Sequence, residues 1–175
     1  FINIEINEKD TLPNKYKIIN FIVGKNVKLL YLKAKILNSM GLYSEVVKFK
    51  ELSTINIDNA SGLIKELLIA NIFLKDEENA YKLLDKLKEK KEIYRIWLDY
   101  SFKKKCENLD KLYDKYKKEN IFIDIYTSCL IKQKQFKLSK KIIKDFINDN
   151  KLPESTIDYL KNKIIVINYN LIQEQ

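Results

Sequence analysis

The chain has 175 residues, 46% of them hydrophobic and 33% charged, with a net charge of +9; it is long enough to bury the core of one domain and too apolar to stay disordered. Only 3 Gly and 2 Pro interrupt it, which argues against the many-turned sandwiches and barrels and for an all-helical protein. There is no His, and Arg95 is the only basic residue that is not Lys. The usual general base and metal ligand is therefore missing, as are most of the bidentate contacts by which basic proteins read nucleic acid.

At the start of the chain Ile2, Ile4 and Ile6 alternate with Asn3, Glu5 and Asn7, the pattern of an extended segment. Residues 1–12 are expected to form an N-terminal arm ahead of a helical domain over 13–175. Thr11 and Pro13 open a first helix that Gly24 closes. The second helix, over 26–40, carries two adjacent stripes, Val27, Leu30, Ala34 and Leu37 beside Leu29, Leu32, Ile36 and Met40, so it meets neighbours on more than one side. Gly41 breaks it. Ser44 is placed to cap a third helix running to 52, and Asp58 or Asn59 to cap the fourth.

The fourth helix, over 60–75, is broad again, with Leu63, Ile64, Leu67, Leu68, Ala70, Ile72 and Phe73. The fifth, over 77–90, is narrow: Ala80, Leu83, Leu84 and Leu87 take one side and charged residues the rest. The sixth, over 92–104, is aromatic through Tyr94, Trp97, Tyr100 and Phe102, and the seventh, over 107–118, is narrow through Leu109, Leu112, Tyr113 and Tyr116. Phe122, Ile123, Ile125, Tyr126, Cys129 and Leu130 make the eighth, over 121–133, broad. The ninth, over 137–148, carries Ile142, Ile143, Phe146 and Ile147, and Pro153 suits the first turn of a tenth that continues to 173. Broad and narrow helices thus take turns. That is what a stack of hairpins requires, with the first helix of each pair inside and the second showing a wide wet face.

The turns between the paired helices recur. Counted from Val46 to Ala80, Leu109 and Ser139, each step is about 30 residues, in the range of helical-hairpin repeats. Gly41-Leu42-Tyr43-Ser44-Glu45-Val46 resembles the turn of a tetratricopeptide repeat (TPR), which places Gly, an aromatic two residues on and a small residue three further. Leu30 and Ala34 fall where that family has a large and a small residue. Lys134-Gln135-Phe136-Lys137-Leu138-Ser139 keeps the aromatic and the small residue with Lys in place of Gly, Ala80 survives in the second repeat, and the third repeat keeps little.

The resemblance spans about 26–149. It implies an all-α, right-handed α-α superhelix of about four helical hairpins plus a C-terminal capping helix, with a concave groove that binds peptides or helices of partner proteins and performs no catalysis. The family's groove positions fall on Lys28, Tyr31, Lys35 and Asn38, on Tyr94, Leu98 and Ser101, and on Asp124 and Ser128. Some members clamp a terminal carboxylate with Lys and Asn, which Lys35 and Asn38 echo; the alternative is that they are solvated polar positions.

Two further surfaces stand out. Lys134, Lys137, Lys140, Lys141 and Lys144 give the ninth helix a basic edge, either a solvated outer face or a dock for an acidic segment. The tenth helix sets Ile157, Leu160, Ile164, Ile167 and Leu171 on one face and leaves Tyr159, Val166, Tyr169 and Ile172 away from it. A capping helix is polar outside, so either the helix packs more broadly than one stripe implies, or the sequence stops short of what covers it, or this second face is a partner or self-association surface.

No Gly-rich phosphate loop is present, and Asp145, Asp149 and Glu154 lack the spacing of a calcium loop. Cys106 and Cys129 make no zinc site without other strong ligands; they are expected as buried free thiols, with a disulfide as the alternative. Lys, Asn and Ile are abundant together, as in the product of an AT-rich genome, so most Lys are read as solvated. The expected function is a non-enzymatic protein–protein interaction scaffold or adaptor without a cofactor or metal, its partner another protein or peptide. The alternative is nucleic-acid or anionic-surface binding through the Lys-rich faces. No transmembrane run is visible. The default compartment is the cytoplasm, although a chain opening on Phe1 reads as a fragment or a processed protein, which leaves an upstream signal or membrane anchor open.

Overall fold

A computed structural model of the protein describes residues 27–49, 57 and 60–173. The arm over 1–12 and the first expected helix lie outside the described residues. Among those residues the protein is all-helical, with nine α-helices and no strand: α1 Val27–Ser39, α2 Tyr43–Val47, α3 Ser61–Phe73, α4 Glu77–Lys86, α5 Lys91–Lys103, α6 Leu109–Tyr116, α7 Asn120–Lys132, α8 Phe136–Asp149 and α9 Glu154–Gln173. The chain divides into two compact units, Phe1–Leu98 and Asp99–Gln175.

In the first unit, α1, α2 and α3 close on one core of Leu30, Ala34, Leu37, Val46, Phe49, Leu63, Leu67 and Ala70. The broad apolar pattern of α3 has the consequence expected of it: eight of its residues are buried, including the polar Glu66 and Asn71. The narrow α4 buries only Ala80 and Leu84. Asp76 caps α4, its carboxylate accepting from the Asn79 amide at 3.1 Å. One expected cap does not form. The helix after Gly41 starts at Tyr43, so Ser44 lies inside it, and Leu42 in the cap position makes no side-chain bond. Before α3 the cap position belongs to Ala60, likewise without a side-chain bond, while Asp58 and Asn59 lie outside the described residues. Tyr31 packs against Gly62: a Cβ there would come within 3.1 Å of its ring, so the missing side chain lets α1 approach α3.

In the second unit α7 is the inner helix, burying Phe122, Ile123, Ile125, Thr127, Cys129 and Leu130. Packed on it, α8 buries Phe136, Ser139, Ile142, Ile143 and Phe146. The buried Ser139 hydroxyl donates to the Thr127 carbonyl at 3.1 Å, so this small residue also ties the two helices. Against the expectation of free thiols, Cys106 and Cys129 are joined in a disulfide. It fastens the segment before α6 to the inner helix. The expected helix over 107–118 is shorter, Leu109–Tyr116, starting after an Asn108 held at φ 61°.

Four helix ends share one device. Gly41, Lys75, Lys104 and Lys134 follow α1, α3, α5 and α7, and all adopt the left-handed conformation, at φ 74°, 62°, 55° and 59°. After α1, α3 and α7 the next amide reaches back five residues: Leu42 to Leu37, Asp76 to Asn71 and Gln135 to Leu130, at 2.9, 3.0 and 2.8 Å. These are the bonds of a Schellman turn, which satisfies carbonyls that the helix end leaves open. After α5 the Lys105 amide reaches Asp99 at 3.3 Å instead. The steps between these four positions equal those between Val46, Ala80, Leu109 and Ser139 along the sequence.

Candidate protein-binding face on the last helix

Helix α9 is the longest described helix, at 20 residues. Leu160 and Ile167 are its buried residues, and Ile157, Ile164 and Leu171 are half-buried beside them, as the one-stripe pattern requires. Lys163 occupies the same face, three residues after Leu160 and four before Ile167. Its ammonium group donates to the Asp124 carboxylate at 2.7 Å, to the Asp124 carbonyl at 2.8 Å and to the Ser128 hydroxyl at 2.7 Å. The Tyr159 hydroxyl donates to the same carboxylate oxygen at 2.7 Å, and the Ser128 hydroxyl donates to the Asp124 carbonyl at 2.7 Å.

This cluster brings together three of the residues picked from the sequence, Asp124, Ser128 and Tyr159, and adds Lys163. The sequence carried a sign of Lys163: a lysine in the register of an apolar stripe must find a counter-charge. Burial depresses the Lys163 pKa and the Asp124 carboxylate opposes that. Burial also raises the Tyr159 pKa, and its bond to the Asp124 charge adds to the rise.

The arrangement is an anchor. All three ammonium protons have acceptors, and the Ser128 proton is committed to a main-chain carbonyl, so no base stands ready to activate that hydroxyl. No group of three or more metal-ligating side chains is assembled among the described residues.

The opposite side of the same helix is open. Ile165, Val166, Tyr169 and Ile172 are each between 54% and 67% exposed, and Tyr159, tied by its hydroxyl to Asp124, is 52% exposed at their edge. At the 3.6-residue period Ile165, Val166, Tyr169 and Ile172 make one continuous stripe. Ile165 was not picked from the sequence, although it lies four residues before Tyr169, within the same face.

The other sequence-derived positions scatter. Lys28 and Lys35 are exposed on α1. The ring of Tyr31 is committed to Gly62. Asn38 ties α1 to α3, its amide nitrogen donating to the Glu66 carbonyl at 2.9 Å and carboxylate at 2.8 Å; a peptide carboxylate at that amide would meet the Glu66 charge. Tyr94 and Leu98 are 2% and 0% exposed, so neither is presented to a partner. Their helix turns this apolar face inward with Ile93. Ser101 is half-buried, and its carbonyl accepts from Lys104 at 3.1 Å.

On α8, Lys137, Lys141 and Lys144 are exposed, as is Lys134 before it, whereas Lys140 is half-buried. In the first unit an aromatic row missed in the sequence joins Tyr43 to Phe73, stacked at 4.5 Å, and Phe73 to Trp97, edge-on at 6.5 Å. Those rings come from three separate helices, α2, α3 and α5, and no local pattern announces such a contact. No helix among the described residues is long and apolar enough to cross a membrane. No protein-family model, curated protein or solved structure matches this chain.

Proposed function

We propose that the chain is a non-enzymatic protein-interaction module built of tetratricopeptide-like helical hairpins, and that its binding surface is the outer face of α9. The observation that carries this reading is the stripe Ile165–Val166–Tyr169–Ile172, with Tyr159 at its edge, more than half exposed at every position. Together these side chains leave roughly 600 Å² of largely apolar surface in water, the size at which a patch on a lone protein marks an interaction site. The Lys163–Asp124 anchor supports the same reading, because it fixes the orientation of the helix that displays the stripe. The recurring left-handed turns support the hairpin architecture. The ligand that suits a straight apolar stripe on a helix is the apolar face of another helix.

The test is a capture experiment with the intact protein and with a Val166→Asp/Tyr169→Asp double variant, both positions being exposed. The double variant is expected to keep its helical circular dichroism and to lose the partners that the parent retains. Identical recovery by the two proteins removes α9 as the binding surface.

A further inference from the structure

We infer that the occupant of the α9 face is the same face of a second copy of this chain, the two helices crossing antiparallel about Tyr169. The inference rests on the preceding reading that this face binds a helix, and names which helix.

Three observations select a copy over a charged partner. First, residues 164–173 carry no charge in a chain that is 33% charged. Two molecules of net charge +9 repel one another, so they meet most easily through a stretch without charge. Lys161 is exposed one turn before Ile165, at the near end of the stripe; the polar residues among these ten are Asn168, Tyr169, Asn170 and Gln173, so a partner seated about Tyr169 meets no lysine there.

Second, the stripe is self-complementary. Positions 166 and 172 stand three residues either side of Tyr169, so an antiparallel crossing there sets Val166 against Ile172 of the other copy and ring against ring at the axis. Such an isologous contact uses one patch twice and closes the pair. Third, roughly 500 Å² from the four stripe residues of each copy totals about 1,000 Å², the area a specific interface has to clear. The Lys163–Asp124 anchor holds the helix in place before the copies meet, which spares part of the ordering cost.

The experiment is sedimentation velocity on the whole chain up to about 200 µM, a range that reports micromolar dissociation constants. The parent, Val166→Asp, Ile172→Lys and a one-to-one mixture of the two variants are compared. The parent is expected to dimerise, and more strongly as salt screens the like charges of the copies. Each variant alone is expected to dimerise at least about tenfold more weakly, since it places two charges on apolar partners. The mixture is expected to recover dimer, because the new aspartate of one variant then faces the new lysine of the other, beside one intact Val166–Ile172 contact. Both positions are exposed, and unchanged circular dichroism separates lost pairing from lost folding.

A parent that stays monomeric overturns the inference, as does a dimer indifferent to both substitutions or variants that weaken without rescue. A monomeric parent that still loses captured partners in the double variant described above sinks the second copy and leaves the wider reading standing. A monomer with no such loss sinks both.

Discussion

Lys163 and Asp124 stand 39 residues apart in sequence and 2.7 Å apart in the fold, the lysine side chain 10% exposed and the aspartate 40%. Most of the desolvation therefore falls on the lysine, and the aspartate is the group that makes its charge tolerable. Asp124→Asn leaves that ammonium with neutral acceptors only, the amide oxygen, the main-chain carbonyl and the Ser128 hydroxyl, and removes the counter-charge. It is expected to cost about 2 kcal/mol, below the range for breaking a fully buried pair because one partner is partly in water. Lys163→Met, which removes the buried charge and keeps an unbranched apolar stem on the apolar face, is expected to cost less than Asp124→Asn. Urea unfolding of the two variants checks the order; a Lys163→Met loss equal to or larger than that of Asp124→Asn contradicts it.

The tyrosines define an alkaline limit. Burial raises the pKa of Tyr94, Tyr113, Tyr126 and Tyr159 above the ordinary value near 10, with the Asp124 charge adding to it at Tyr159. A raised folded-state pKa means that the native protein holds a phenol proton which the unfolded chain releases. The stability linked to these groups is complete below pH 10 and is lost as the pH climbs above it. Lys163 acts in the opposite sense, since its depressed pKa recovers stability as the pH approaches the ordinary lysine value of 10.5. The four phenols are joined by Lys65 and Lys82, whose bonds to Tyr94 and Glu78 raise their pKa values, against Lys163 alone, so unfolding is expected to become easier above about pH 10. Absorbance titration at the phenolate band checks the assignment: Tyr159→Phe is expected to remove the latest-titrating component, and an unchanged curve refutes it.

The left-handed turns predict stabilising substitutions. A residue with a Cβ carries a steric cost at φ near 60° that glycine does not, and Lys75 and Lys134 both sit there at the ends of regular Schellman turns. Lys75→Gly and Lys134→Gly are each expected to stabilise by about 0.5–1 kcal/mol. Gly41→Ala is expected to destabilise by about 1 kcal/mol through backbone conformation alone, because nothing lies within 4 Å of the added Cβ. Thermal unfolding of the three variants gives the signs. A loss of stability in both glycine substitutions would mean that the lysine side chains contribute more than their strain.

These turns also mark how far the sequence could be read. Helix type and the broad–narrow alternation follow from local patterns: the run from Leu63 to Ile72 buries nearly all round, whereas α4 buries Ala80 and Leu84 alone. The intervals of 34, 29 and 30 residues counted along the sequence are also those between Gly41, Lys75, Lys104 and Lys134, four helix ends that share the left-handed conformation. What local pattern does not contain is which distant residues meet. Asn38 finds Glu66 28 residues away, Lys163 finds Asp124, and the groove positions Tyr94 and Leu98 turn inward because packing, not register against a turn, decides which face of α5 is buried. The α9 face was visible as a second apolar stripe, since an exposed stripe needs no distant partner to be recognised.

The disulfide is the clearest case of such a distant pairing, and it carries a prediction of its own. Cys106 and Cys129 stand 23 residues apart and close a segment that contains all of α6. Leu109 is the one buried residue of that short helix, with Tyr113 tilted against Tyr126 and Tyr116 against Phe122 at 5.6 and 5.7 Å. Its hold on α7 is thus modest, and the covalent link limits how far it strays when those rings part. Closing a loop of this size is worth about 3 kcal/mol in the chain-entropy view. Reduction, or the Cys106→Ser/Cys129→Ser double substitution, is expected to lower unfolding stability by about that amount. It is also expected to speed hydrogen exchange in α6 well before α7, whose apolar residues stay buried without the bond. Exchange measured with and without reductant decides the matter: equal acceleration across α6 and α7 would mean that the link supports the whole unit, and no acceleration in α6 that its ring contacts suffice.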